Sequence, residues 1–222
     1  MGIISIENSD RLFWLGRYSE RVYTSARLFA ASFDKMIDVD MGQYSIFCER
    51  LAIPNIYGSR EDFCGRYISD ETDPNSICAN LMRAYDNAAA LRNEIGSEAI
   101  TYIQLAVYDI KKCGESQAPV IELQEVVDHI LAFWGIVDDM IESENIRNII
   151  KTGKRVERLD LYGRLKLDPA SISREINRLA GRITKTNLHY DADKLEELKM
   201  LVRAEPLDYD RIIELADHLR RD

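Results

Sequence analysis

The chain of 222 residues sets 29 Lys and Arg against 38 Asp and Glu, a net charge of −9, with 46% hydrophobic and 30% charged residues. That balance fits a folded globular protein of one or two domains and excludes a disordered or fibrous one. It also makes most of the surface repel nucleic acid and anionic lipid, so any bound anion needs a local basic pocket.

The opening MGIISIENSD lacks a basic lead, and no run approaches the roughly 18 apolar residues of a spanning helix, so a cytoplasmic location is the default expectation. Apolar residues then recur at three and four rather than at two, which predicts helices throughout. NSDRLFWLGRYSERVYTSARLFAASFDKMID reads as a long first helix, with Asn8 or Ser9 as N-cap and Asp10 in its first turn. Short helices follow around Gln43 to Leu51 and Arg60 to Ile68, with Pro54 between them. Asp73 as cap and Pro74 at the first helical position open a segment from Asn75 to Lys112, which Gly96 kinks and Gly114 closes. From Pro119 to Glu142 the residues Ile121, Val126, Val127, Ile130, Phe133, Trp134, Val137 and Ile141 form a wide apolar face that must be buried. IRNIIKTGKRVERLDLYGRLKL is the next helix, Asp168 and Pro169 start another that runs to about Thr184, and two shorter helices flank Pro206. The expectation is one all-α multi-helix bundle over residues 1–222.

Cys48, Cys64, Cys78 and Cys113 form no CxxC pair and read as reduced, mostly buried thiols rather than a zinc site. His129 reads as a hydrogen-bonded core or edge residue, His189 and His218 as surface residues. Tyr102, Tyr108 and Tyr162 read as core fillers with their hydroxyls at the rim. No phosphate-binding glycine loop occurs, and no cofactor or metal is called for.

One pattern recurs. GRYSERVYTSARL from Gly16 aligns with GKRVERLDLYGRL from Gly153, an offset of 137 residues that superposes Gly16, Glu20, Arg21 and Arg27 on Gly153, Glu157, Arg158 and Arg164. Both copies read Gly-x-x-x-Glu-Arg. At about 100° per residue, Glu20 and Arg27 fall some 20° apart and about 10 Å apart along the axis, so they share a stripe without pairing. Antiparallel packing about a pseudo-two-fold axis predicts Glu20 against Arg164 and Arg27 against Glu157, with the glycines admitting a close neighbour. Both motif helices are basic islands in an acidic chain, so the same arginines serve either as structural ion-pair partners or as an anion pocket.

LFWLGRYSERVYTSARL and GKRVERLDLYGRL, with DNAAALRNEIGSEAI carrying Arg92 ahead of Ser97-Glu98, resemble the alpha-E family of all-helical bacterial proteins. Lys154 stands where the family's second motif implies arginine, and Arg11 where it implies asparagine. The resemblance implies a helical bundle found with circularly permuted ATP-grasp ligases and transglutaminase-like peptidases, hence an accessory protein in making or modifying a peptide or amide-linked metabolite. The candidate binding or ion-pair residues are Arg17, Glu20, Arg21, Arg27, Arg92, Glu157, Arg158 and Arg164. Two enzymatic alternatives stand beside this reading. One is an enzyme in its own right on that pathway. The other is a magnesium-dependent diphosphate enzyme using Asp138, Asp139 and Glu142, whose DDMIE spacing resembles the acidic motif of isoprenoid synthases.

Overall fold

The computed structural model describes residues 4–38, 42–114, 116, 118–204 and 206–221, and among these it is all-helical. The helices are α1 (Ile6–Asp38), α2 (Gln43–Leu51), α3 (Arg60–Ser69), α4 (Ile77–Ala90) and α5 (Arg92–Cys113). They continue as α6 (Pro119–Asp139), α7 (Glu144–Arg164), α8 (Pro169–Ile183), α9 (Ala192–Leu201) and α10 (Tyr209–Asp217). None is long and apolar enough to cross a membrane.

Capping explains most of the boundaries, and it corrects two of them. Asp168 caps α8 by accepting from the Ser171 amide, with Pro169 at the first turn as expected. Ser5, not Asn8 or Ser9, accepts from the amide of Asn8, so α1 starts earlier and carries Glu7 rather than Asp10 in its first turn. Ser76, not Asp73, caps α4. Asp73 instead turns inward, where its buried carboxylate accepts from the Tyr57 hydroxyl at 2.7 Å. The segment beyond is divided twice, at Leu91 between α4 and α5 and again at Gly96, whose φ of 78° is open to glycine at little cost.

α1 is the axis of the molecule. With α4, α5 and α6 it closes a four-helix arrangement, and on its other side it packs along α7, which carries α8 and α10. One hydrophobic cluster runs through both sides, from Leu12, Leu15 and Phe29 on α1 to Ile149 and Leu159 on α7 and Ile176 on α8. The apolar face of α6 is buried as its periodicity implies, except Ile121, which lies 71% exposed in the first turn, outside the packed stripe. Tyr108 likewise points outward, under the Lys112 ammonium at 4.0 Å from its ring.

Candidate functional site

The two Gly-x-x-x-Glu-Arg segments lie side by side. A Cβ added to Gly16 would stand 2.0 Å from the Ile150 carbonyl oxygen, and one added to Gly153 would stand 2.0 Å from that of Phe13. Positions 13 and 150 differ by the same 137 as the glycines. The contacts are therefore related by a pseudo-two-fold axis. From these contacts to the pairs Arg17–Glu157, Arg21–Glu157 and Glu20–Arg158 both chains advance together, so α1 and α7 are parallel, which corrects the antiparallel expectation.

Parallel packing sets each glutamate level with its counterpart, between the cations three positions before and one position after it on the opposite helix. Glu157, 1% exposed, accepts from Arg17 Nε at 2.7 Å and from Arg21 Nε. Glu20, fully buried, accepts from Arg158 Nε at 2.6 Å, with Lys154 Nζ 4.0 Å away. The reciprocal pairing is real, but its partners differ from those expected. Arg27 and Arg164 sit two turns further along and bond back within their own helices, to the Tyr23 hydroxyl at 2.8 Å and to Asp160 at 2.9 Å. Arg92 lies exposed at the start of α5, away from the cluster.

The axis divides the charges into two faces, each with a tryptophan capped by a cation at the equivalent position. On one face Arg17 lies 4.9 Å over the ring of Trp14; on the other, Lys154 lies 3.7 Å over that of Trp134. Burial opposes the charge of Arg17, yet Glu157 and Asp217 outweigh it, and the pKa is raised. For Lys154 burial dominates: with Arg158, Arg155 and Lys151 against it and Glu20 for it, the pKa falls to about 7.

The first face opens into a cleft of about 500 Å³ between α1, α4, α7 and α10. Trp14 and Tyr18 stack at 5.3 Å to form its platform, and Arg83 of α4 lies 5.8 Å over the Tyr18 ring. Arg17 reaches Asp217 at 2.9 Å, and Arg83 donates to the Pro74 carbonyl at 2.8 Å. These bonds leave Arg17 Nη1, Arg21 Nη1 and Arg83 Nη2 uncommitted among the described residues. Trp14, Arg17, Tyr18 and Arg21 fall at i, i+3, i+4 and i+7, a shared face that the spacing alone discloses. Arg83 and Asp217 come from distant helices and carry no such signal.

Of the acidic set Asp138, Asp139 and Glu142, the first pairs with Lys151 and the other two are exposed. Among the described residues no three His, Cys, Asp or Glu side chains converge to hold a metal ion. His129 donates from Nε2 or pairs with Asp109 at 3.0 Å on the α5–α6 seam, the edge position expected of it. The four cysteines are free thiols, Cys64 the least covered.

Fold and site together define a class: an all-helical protein organised about a duplicated, parallel Gly-x-x-x-Glu-Arg helix pair. The family model of Alpha-E, described as a predicted alpha-helical domain with a conserved ER motif, matches residues 8–199, and the chain belongs to that family. No curated protein and no solved structure matches it.

Proposed function

We propose that this protein is an accessory binding protein for an ATP-grasp ligase system, and that it holds a small carboxylate-bearing ligand, a peptide or amide metabolite, in the cleft of the first face. The observation that carries the ligand is the set of uncommitted N–H groups on Arg17, Arg21 and Arg83 beside a stacked aromatic platform. Guanidinium forks match carboxylates, and the platform accepts the apolar part of such a molecule. The ion pairs to Glu157 and Asp217 fix the forks in advance, which lowers the ordering cost of binding. The ligase connection rests on the company the family keeps.

Calorimetric titration with an acidic dipeptide such as alanyl-glutamate tests the ligand. Arg83→Ala, a half-buried cleft residue, is expected to weaken binding at least tenfold while leaving the fold intact. Equal binding by wild type and variant would remove the cleft from consideration. Gel filtration after co-expression with a circularly permuted ATP-grasp ligase tests the partner, and separate elution of the two would sink that part alone.

A further inference from the structure

The second face has a different electrostatic character. Lys151, Lys154, Arg155 and Arg158 follow one another at i, i+3, i+4 and i+7 along α7, so they form one stripe. Arg178 and Arg182, one turn apart on α8, lie beside it. Against these six cations stand three carboxylates: Glu20, Asp138 and Glu175. Glu175 is shared, accepting from Arg155 and from Arg178 at 2.8 Å each. Arg182 has only a neutral acceptor among the described residues, Asn148 Oδ1 at 3.1 Å. Lys154 stands 4.0 Å from its nearest carboxylate oxygen. Among the described residues the buried Nε of Arg155 and Nε1 of Trp134 have no acceptor, and Glu20 Oε2 has no donor within hydrogen-bond distance.

Such an excess is costly where it lies. The side chains of Lys151, Lys154, Arg155 and Arg158 are no more than 15% exposed, so water screens their mutual repulsion poorly. In a chain of net charge −9 the sequence could have supplied more carboxylates here. The first face, by contrast, has a carboxylate on Arg17, Arg21 and Arg164, and among the described residues Arg83 there has only neutral acceptors.

We infer that the α7–α8 stripe is a second anion site, for a phosphate-bearing small molecule of two or three negative charges such as a diphosphate, entered past Arg178 and Arg182. Two arginines one turn apart on α7 and two on α8 suit the several oxygens of a phosphoryl chain, and its charge offsets the excess of cations. The half-exposed Arg178 provides the entrance. This inference does not rest on the cleft of the first face, which takes its ligand on the other side of the α1–α7 pair.

Inorganic diphosphate is the probe, titrated by calorimetry into the full-length protein at low ionic strength. Saturable binding is expected, weakened at least tenfold in the Arg178→Ala/Arg182→Ala double variant and unchanged in Arg83→Ala. Absence of saturable binding at millimolar diphosphate would overturn the site, and so would binding lost in Arg83→Ala but kept in the double variant. Citrate binding as tightly as diphosphate would overturn the phosphate assignment. Trp14 and Trp134 are the two tryptophans, so a Trp14→Phe protein reports the second face alone. If the double variant does not fold, Trp134 emission in that protein decides: saturable change with diphosphate supports the site, and no change refutes it.

Discussion

Replacing Gly16 with alanine tests the parallel helix seam most directly. The added Cβ would stand 2.0 Å from the Ile150 carbonyl oxygen and 3.0 Å from the Lys154 amide nitrogen, both backbone atoms that cannot rotate away. Restoring an ordinary contact requires α1 and α7 to separate by on the order of 1 Å at that point, a gap of the size that forfeits a quarter to a half of each dispersion contact it opens. Overpacking of this kind costs about 1–3 kcal/mol. Stretching the adjoining buried pairs, Arg158–Glu20 and Arg17–Glu157 at 2.6 and 2.7 Å, adds to that. Alanine returns up to about 1 kcal/mol through helix propensity. The expected net loss is about 2 kcal/mol, read as a fall in the thermal midpoint of about 4–8 °C for a chain of this size. Gly153→Ala, whose Cβ meets Phe13 in the equivalent way, should match it within about 1 kcal/mol. Gly135→Ala on the exposed side of α6 meets nothing within 4 Å and should stabilise by up to about 1 kcal/mol. Urea denaturation of the three variants decides the matter. A Gly16→Ala protein as stable as wild type would refute the close parallel packing and the pseudo-symmetry built on it.

Two further outcomes follow from the charges on that seam. A double-mutant cycle on Glu20→Gln and Arg158→Met should show a coupling of about 0.5–3 kcal/mol in denaturant unfolding, whereas Glu20→Gln with Arg164→Met should be additive within about 0.5 kcal/mol; the reverse pattern would restore the antiparallel register. Lys154 supplies the pH dependence. With its pKa lowered to about 7, the unfolded chain binds a proton that the folded one lacks between that pH and the ordinary lysine value of about 10.4. Stability should therefore rise with pH across that window, by at most about 1.4 kcal/mol per unit. Lys154→Met should remove that share of the slope, measured as the difference between the two proteins so that thiols and tyrosines titrating in the same range cancel. Identical pH profiles would show that Lys154 stays charged against Trp134, Glu20 and the cations around it.

Much of the fold was legible because it is local. The stop and start residues of α2, α8 and the α9–α10 pair stand in the sequence as capping carboxylates, prolines and breaks in periodicity, and the structure follows them closely. Where the reading failed, a nearer competitor took the same role. Asp73 instead caps the turn before α4, accepting from the Asn75 amide with one oxygen and from the Tyr57 hydroxyl with the other, and Ser76 caps the helix itself. At the candidate site the motif residues were legible and their register was not. Equal Glu-to-Arg spacing closes one set of pairs if the helices run antiparallel, and the cations flanking each glutamate close another if they run parallel. The close approach at the glycines fixes where the helices touch, and the pairs Arg17–Glu157, Arg21–Glu157 and Glu20–Arg158 beyond it show the parallel direction. Arg27 fell out of the pairing for that reason, and Arg83 and Asp217 were invisible because they arrive from α4 and α10.

The duplication explains why the two faces differ in kind. A pseudo-two-fold axis delivers the same three elements to both sides of the α1–α7 pair, a glutamate from one helix and, from the other, the cations three residues before and one after its counterpart; each side also has a tryptophan beneath the first of those cations. The tryptophans themselves are not equivalent, since Trp14 belongs to α1 and Trp134 to α6. Each face has thus been completed independently by what packs around the pair. α10 contributes Asp217, which shares Arg17 with Glu157 and keeps that guanidinium charged. α8 contributes Arg178 and Arg182, which bring more positive charge to a face where Lys154 already lacks a close counter-ion. The motif common to both sides holds the two helices together, and on each face the arginines added from outside it, Arg83 on one and Arg178 and Arg182 on the other, supply positive charge beyond what that pairing uses.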